Sequence, residues 1–295
     1  MVARLFDSIL KIFIMGVLVL CYGCANPSST TNKVFHDDYG RDIAVPESPE
    51  RIVSLSPAVT EIIFALGGEN LLVGRTDFCK YPEEAQQIES IGGISNLNVE
   101  KIMSLAPDLV ISGSMVPKKS AEHLDKMSIP LACVIEKTTF DGLYDNIAKV
   151  GQLIGRSHAA DSLISHIKSE IATLDTATQG SIPTIYYVVG FSAGGNFTAG
   201  GNTFINDILR FSGCKNIAEG IKGWNYSIEA LMNADPDYIL IRKEDATTFA
   251  TTSPYTDLSA VRNGHILAIE SGLIDLQVPR NLEAIKAIRQ FISPH

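Results

Sequence analysis

The segment from Gly190 to Gly194 places a serine between two glycines in the pattern Gly-x-Ser-x-Gly, directly after an apolar run. This pattern is typical of a nucleophile elbow, in which a serine on a tight strand-to-helix turn attacks an acyl carbon. Asp257 and His265 follow in the chain order that such hydrolases use. The elbow requires a helix immediately after the serine, whereas the glycine-rich residues 195–201 predict a loop. We therefore expect a protein that is not an enzyme.

Two stretches of the chain, one beginning at Asn98 and the other at Ser227, share a pattern that places a glutamate near the start of a short helix. Each begins with a helix-capping residue and continues with a helical segment, a proline and an apolar run. Glu100 and Glu229 fall at the second helical position, where a carboxylate stabilises the helix dipole by about 0.3–1 kcal/mol. Helix stabilisation alone would explain why a glutamate stands at each of these positions. The repeat itself predicts that the chain has two related halves.

The elements around the repeat predict an α/β protein of two lobes joined by one long helix. Short apolar strands alternate with helices in both halves of the chain, which favours largely parallel sheets. Between the halves, apolar residues recur on one face of a helix from Ser157 to Thr176, which at about 1.5 Å per residue spans roughly 30 Å. We expect an N-terminal lobe over 35–150, a bridging helix region over 151–178 and a C-terminal lobe over 179–295.

The first residues predict an exported, lipid-anchored protein. Two basic residues precede an apolar run that is too short to span a membrane, which is typical of an export signal over residues 1–23. The run ends at Cys24 in a pattern that resembles the lipobox of bacterial lipoproteins, although Cys21 stands where a leucine is usual. Cys24 would carry the acyl anchor, and a flexible tether would follow over 24–34. The alternative is a plain cleaved signal that leaves Cys24 free.

Composition excludes several other classes of protein. Apolar residues make up 45% of the chain and charged residues 19%, as in globular proteins and unlike disordered ones. The net charge of −9, with no cluster of lysines and arginines, argues against a nucleic-acid partner. The cysteines that remain after export are Cys79, Cys133 and Cys214, and they lack the spacing of a metal site. No resident metal or cofactor is expected.

The order of these features resembles the bacterial periplasmic binding proteins that serve ABC importers of vitamin B12, haem and ferric siderophores. The resemblance rests on both copies of the repeat and on the segments 51–61, 77–82, 197–200 and 279–280. It implies two Rossmann-like α/β lobes bridged by one long helix, the helical-backbone metal-chelate receptor type, with the ligand between the lobes. It also implies an extracytoplasmic protein on the periplasmic side of the cell envelope. Because the bridging helix should be stiff, we expect little lobe motion.

In that family, one glutamate on each lobe docks against arginines of a symmetric permease, and Glu100 and Glu229 match these positions. The implied partners are the ABC permease dimer with its ATPase, a small-molecule metal chelate and the membrane. The ligand is expected at the carboxyl ends of the strands, where α/β sheets place their sites. The candidate contacts are six aromatic residues and one arginine, namely Phe78, Tyr81, Phe191, Phe197, Trp224, Tyr226 and Arg280.

The aromatic residues favour a wide, flat chelate, and a cobamide such as vitamin B12 is the first choice. A strongly anionic ferric siderophore would favour several basic side chains in the cleft, and only Arg75, Lys80 and Arg280 are candidates. Haem would require an axial Tyr or His. No histidine lies in a predicted cleft loop, but Tyr81 and Tyr226 could serve. Siderophores and haem are therefore the alternatives.

Overall fold

Two parallel β-sheets and the helices around them make up most of the computed structural model, which describes residues 32–93, 97–113, 118–175, 181–192 and 195–293. Short apolar runs form the inner strands, because a strand covered on both faces buries every side chain. The predicted export signal, Cys24 and the tether as far as Thr31 lie outside the described residues.

The strands in the described residues are β1 (Asn32–His36), β2 (Asp42–Pro46), β3 (Ile52–Ser54), β4 (Leu72–Arg75), β5 (Leu109–Ser112), β6 (Leu131–Cys133), β7 (Thr184–Val188), β8 (Gly190–Ser192), β9 (Gly195–Phe197), β10 (Lys215–Asn216), β11 (Asn225–Tyr226), β12 (Tyr238–Arg242) and β13 (Ile266–Ile269). The first parallel sheet has the strand order β4-β3-β5-β6, and the second has the order β10-β7-β12-β13. Strands β11, β9 and β8 form an antiparallel three-stranded ribbon, and β1 pairs with β2.

The α-helices in the described residues are α1 (Pro57–Ala65), α2 (Val99–Ser104), α3 (Lys118–Lys126), α4 (Asp141–Leu153), α5 (Ser157–Asp175), α6 (Phe204–Phe211), α7 (Ile228–Ala234), α8 (Ala246–Thr251), α9 (Ser259–Arg262), α10 (Ser271–Ile274) and α11 (Asn281–Ile292). Short 3₁₀ turns occur at Glu69–Leu71, Glu83–Gln87 and Tyr255–Asp257. Helix α1 begins with Ser56 as its cap and Pro57 in its first turn.

The predicted bridging helix is α5, and it joins the two sheets through one continuous hydrophobic core. Its apolar face buries Ile167 and Ile171 in a cluster that also contains Ile111 from the first sheet and Leu240 from the second. Because one helix contributes to the packing of both sheets, a rotation of one lobe against the other would expose apolar side chains to water. The two α/β lobes and their connecting helix are therefore confirmed as the fold.

The internal repeat is confirmed down to its backbone geometry. The side chains of Asn98 and Ser227 each accept a hydrogen bond from the backbone amide three residues later, at 2.9 and 3.1 Å, so that they cap α2 and α7. In each copy a residue in the left-handed region then precedes a proline, Ala106 with φ 44° and Asp235 with φ 35°. The similarity of the two halves thus extends from sequence to conformation.

Each copy of the repeat is also hydrogen-bonded to the start of the first strand of its sheet. The sequence analysis did not anticipate this feature. The Asp108 carboxylate accepts hydrogen bonds from the amides of Glu50 and Arg51, at 2.7 and 3.1 Å. Asp237 accepts from the amide and the hydroxyl of Thr184, at 2.8 and 2.7 Å. The aspartate after the repeat's proline therefore fixes the start of β3 or β7.

Two expectations about irregular segments are wrong. Strand β1 begins at Asn32, inside the segment expected to be a tether, because its backbone pairs with β2. The glycine-rich segment expected to be a loop contains β9, from Gly195 to Phe197, which pairs with β8 and β11. In both cases pairing with a partner strand overrides a local composition of polar residues or glycine.

Gly151 on α4 approaches α5 so closely that a Cβ atom placed on it would lie 2.5 Å from the Ala160 Cβ. We expect Gly151→Val to lower the free energy of unfolding by about 1–3 kcal/mol, because overpacking forces the two helices apart. Urea denaturation measures this effect. In the control Gly220→Ala, nothing lies within 4 Å of the added Cβ, and the change should stay within about 0.5 kcal/mol. Equal effects of both substitutions would contradict this packing.

Candidate ligand-binding site

A cavity of about 510 Å³, called the cleft cavity below, lies between loops that follow strands of the two parallel sheets. From the first sheet, Phe78, Lys80 and Tyr81 line it in the loop after β4. From the second sheet, the segment after β13 contributes Glu270 and Arg280, among others. The cavity thus lies at the carboxyl ends of parallel strands, where the sequence analysis expects the ligand.

Cys79 anchors the turn that presents the side chains of the first lobe. It is fully buried, its amide donates to the Thr76 carbonyl at 3.1 Å, and its Sγ lies 3.2 Å from the Thr76 hydroxyl. With Cys79 inside, its neighbours Phe78 and Lys80 are exposed, Phe78 by 58%. Tyr81 is exposed by 44%. A buried small residue therefore holds two aromatic rings at the edge of the cavity.

Arg280 lines the cleft cavity but is already paired. Its guanidinium donates two hydrogen bonds to the Glu61 carboxylate, at 2.7 and 2.8 Å, and lies 3.4 Å from the centre of the Tyr81 ring. Both charged side chains are largely buried, with 4% of Glu61 and 14% of Arg280 exposed. Burial raises the pKa of Glu61, and the hydrogen bonds and charge of Arg280 partly oppose that rise. This ion pair connects α1 of the first lobe to the start of α11 in the second.

Gln277 provides a second connection between the lobes. Its side chain accepts from the Lys137 amide and donates to the carbonyls of Lys137 and Thr139, each at 2.8 Å, and it is fully buried. Together with the Glu61–Arg280 pair, these bonds link the two lobes beside the cavity. A buried amide whose bonds are made across the lobes resists their separation, because opening would leave polar groups unpaired.

The three-stranded ribbon divides the remaining aromatic candidates between its two faces. Phe191 packs edge-on against Phe249 at 5.2 Å, and Tyr226 lies 5.6 Å from Tyr186, so both rings contribute to the core of the second lobe. Phe197, which occupies the other face in the strand alternation, is exposed by 40%. Trp224 is exposed by 45% at the start of β11.

The ribbon lies at the same edge of the second sheet as the cleft cavity, because its first strand follows the carboxyl end of β7 directly. The Val189 amide donates to the Phe197 carbonyl at 2.9 Å, and the Thr198 amide donates to the Trp224 carbonyl at 2.7 Å. Phe197 and Trp224 do not line the cleft cavity itself in the described part of the chain. Both are exposed on the ribbon, outside the cavity.

Glu100 and Glu229 occupy the second position of α2 and α7, as predicted. Both are exposed, and within the described residues neither carboxylate forms an ion pair. Each helix runs back along its sheet to feed a parallel strand, so its first turn lies at the carboxyl edge of that sheet. One unpaired carboxylate is thus presented on each lobe at the edge that holds the cavity.

The residues of the Gly-x-Ser-x-Gly pattern do not form a nucleophile elbow. Ser192 ends β8, and β9 begins at Gly195, so a strand follows where the elbow requires a helix. His265 precedes β13 at the opposite, amino edge of the sheet, where its ring stacks on Tyr238 at 5.1 Å. The serine and the histidine are therefore at different edges of the second sheet.

Other kinds of site find no support in the described part of the chain. Among residues 32–293, apart from the gaps named above, no group of three or more His, Cys, Asp or Glu could hold a metal ion. Over the same residues, no helix is long and apolar enough to cross a membrane. Cys79, Cys133 and Cys214 are buried free thiols, which agrees with a structural role for each.

Glu61 and Gln277 are the site residues that the sequence analysis missed. A signal existed for Glu61, because it is a charged residue between Val59, Ile62 and Ile63 on a buried helix. A buried carboxylate requires a partner, and that partner is Arg280. Gln277 has no comparable signal, because its partners, three backbone groups and the Asn146 side chain, lie far along the chain.

Comparison with known proteins identifies the class. The family model described as periplasmic binding protein matches residues 52–273. The chain belongs to the periplasmic binding protein family. Its members bind solutes for transport and are not enzymes.

Individual relatives of this periplasmic binding protein agree with the family. It is 27% identical, over 94% of both chains, to a protein of Bacillus subtilis named as an uncharacterized ABC transporter substrate-binding lipoprotein. It is 28% identical to a cobalamin-binding protein of Halobacterium salinarum, over 82% of this chain and 69% of the other. The crystal structure of a possible iron-binding, periplasmic solute-binding protein from Staphylococcus epidermidis is 25% identical and superposes with a TM-score of 0.73, over 84% of this chain and all of that one.

Removal of Arg280 should destabilise the protein in a pH-dependent way. We expect Arg280→Met to lower the free energy of unfolding by about 3–5 kcal/mol near neutral pH, because it leaves the buried Glu61 carboxylate unpaired. Burial already raises the pKa of Glu61, and loss of the guanidinium raises it further. The folded variant therefore takes up a proton more readily than the unfolded chain, and its loss of stability shrinks as the pH falls toward about 5.

Urea denaturation at the two pH values measures this effect. The double variant Glu61→Gln with Arg280→Met contains no unpaired charge and should recover part of the stability at neutral pH. A loss of stability that is equal at both pH values, or equal in the single and double variants, would contradict the assigned role of the ion pair.

Proposed function

We propose that this periplasmic binding protein is the extracytoplasmic substrate-binding component of an ABC importer, and that it binds a cobamide such as vitamin B12 in and around the cleft cavity. The proposal rests on the kinds of side chain at the edge of the cavity, which are exposed aromatic rings and charged groups that are mostly paired. Exposed rings of Phe78 and Tyr81 offer stacking surfaces for a wide, flat ring system, and most charged groups nearby are already paired.

The basic residues that could have favoured an anionic chelate are largely occupied. The Arg75 guanidinium donates to the carbonyls of Ala85, Thr76 and Gln86, at 2.9, 3.0 and 3.1 Å, and so holds the loop after β4. Arg280 is paired with Glu61. Of the three candidate cations only Lys80 is left for a ligand, which supports a chelate of low net charge over a polyanionic one.

The relatives support both the first choice and its alternative. The Halobacterium salinarum protein is named for cobalamin, which favours a cobamide. The Staphylococcus epidermidis protein is described as possibly iron-binding, and the exposed Tyr81 could ligate a ferric iron. A ferric siderophore or haem is therefore the second candidate for the same cavity.

Delivery is proposed to use one carboxylate on each lobe. Glu100 and Glu229 would pair with basic residues on the two halves of a permease dimer that an ATPase drives. Two related lobes with equivalent exposed carboxylates suit a two-fold symmetric partner. Cys24, as a lipidated first residue of the mature protein, would keep the protein at the membrane on the periplasmic side.

Titration of the purified protein with cyanocobalamin, haemin and a panel of ferric siderophores tests the ligand. Trp224 is the only tryptophan of the chain and is exposed at the ribbon, so we expect cyanocobalamin to quench its fluorescence saturably. Because all these ligands absorb light, Trp224→Phe serves as the blank, and equilibrium dialysis confirms the stoichiometry. Saturable binding of haemin or a siderophore, without binding of cyanocobalamin, would contradict the first choice.

The docking proposal is tested by transport with binding as its control. We expect Glu100→Ala combined with Glu229→Ala to abolish chelate uptake in cells while leaving the affinity of the purified protein unchanged, because neither residue lines the cavity. Charge pairs of this kind chiefly set orientation and association rate. Glu244→Ala, which removes an exposed carboxylate elsewhere on the second lobe, is the matched control. Normal uptake by the double variant would remove the proposal.

A further inference from the structure

We infer that Lys80 recognises a single negative charge on the ligand, of the phosphodiester kind, and so selects complete cobamides over corrinoids that lack the nucleotide loop. The inference rests on the proposed function and concerns specificity within it. It follows from the charges in the cleft cavity, from the way the backbone holds Lys80, and from the chemistry of the two ligand classes.

Each carboxylate that lines the cleft cavity has a cation of its own. Glu61 is paired with Arg280 at 2.7 Å, as described above. Asp275 lies 2.8 Å from the Arg242 guanidinium and also accepts a hydrogen bond from the Tyr187 hydroxyl. The third pair joins the remaining carboxylate, that of Glu270, to Lys243 at 2.7 Å. None of these carboxylates is left over to neutralise another cation.

Lys80 is the cation of the cavity lining that has no such partner. Within the described residues no carboxylate lies within ion-pairing distance of its ammonium group. The nearby Asp77 is engaged by the Ser90 hydroxyl. The cavity and its paired groups therefore carry one uncompensated positive charge, located on the wall of the first lobe.

The backbone of Lys80 is fixed at the edge of the cavity. Its amide donates to the Phe78 carbonyl at 3.0 Å, and its carbonyl accepts from the Gln86 side chain at 3.1 Å. Cys79, which precedes it, is fully buried. Because the main chain is already ordered, less conformational entropy is lost when Lys80 contacts a ligand. Lys80 therefore lines the cavity from the same loop as the exposed residues Phe78 and Tyr81.

A single positive charge matches one class of chelate better than the others. A complete cobamide has a corrin ring that can stack on aromatic faces and one phosphodiester in its nucleotide loop, with one negative charge. A corrinoid without the loop has the same ring and no such charge. A phosphate oxygen near an ammonium group gains a charge-assisted hydrogen bond. Lys80 therefore distinguishes two ligands that the aromatic rings alone would treat alike.

The experiment compares cyanocobalamin with dicyanocobinamide by isothermal titration calorimetry on the full mature chain. We expect Lys80→Gln to weaken cyanocobalamin about threefold to tenfold and to change the dicyanocobinamide affinity by less than about twofold. Lys80→Arg should retain most of the preference. Lys126→Gln, on an exposed face of α3, removes the same charge far from the cavity and should change neither affinity. Added salt should weaken cyanocobalamin binding to the native protein and not to Lys80→Gln.

Equal losses for both corrinoids in Lys80→Gln, or no loss for either, would overturn the inference while leaving the proposed function intact. Failure of the native protein to bind either corrinoid would overturn the proposed function and this inference with it. Circular dichroism of Lys80→Gln confirms folding, and retained dicyanocobinamide binding serves as a second control because it requires an intact cavity.

Discussion

The buried ion pair between Glu61 and Arg280 is the interaction on which the shape of the binding site depends. It joins residues 219 positions apart, at the wall shared by the two lobes. Separation of the lobes would remove the Arg280 partner from the Glu61 carboxylate, which is only 4% exposed. The Gln277 bonds and the continuous core along α5 act in the same direction. We therefore expect these interactions to set the width of the cleft before any ligand binds.

A cleft of fixed width has consequences for recognition. Since we expect little lobe closure, affinity should come from surfaces that are already in place. Exposed aromatic rings meet this requirement, since a ring is stiff and loses little entropy when a flat ligand stacks on it. Paired charges meet it as well, because each pair is already in place and Lys80 is the one charged group of the described lining that is left for the ligand. Arg280 thus contributes to the site chiefly by holding the lobes together and supporting Tyr81.

The elements encoded by local signals were predictable from the sequence, and those encoded by distant pairing were not. Helix caps at Asn98 and Ser227 and the apolar face of α5 depend on neighbours within a few residues, and the structure confirms them. Strand β9 was not predicted, because hydrogen bonds to β8 and β11 stabilise it and its own glycine-rich sequence does not indicate a strand. Of the aromatic candidates, Phe78 and Tyr81 follow the end of β4 as expected, whereas Phe191, Phe197 and Tyr226 lie within the strands of the ribbon. Their division into exposed and inward-facing rings depends on strand register, which short strands do not reveal.

The most direct test of the fixed cleft is the distance between the lobes with and without ligand. Spin labels on Glu100→Cys and Glu229→Cys sit on exposed first turns of helices in different lobes, and the native thiols of Cys79, Cys133 and Cys214 are buried. Pulsed electron resonance then measures the label-to-label distance, with Cys24 replaced by serine. The account predicts that saturation with the chelate shifts this distance by less than about 2 Å. A shift of several ångströms, or a broad distribution that narrows on binding, would contradict it.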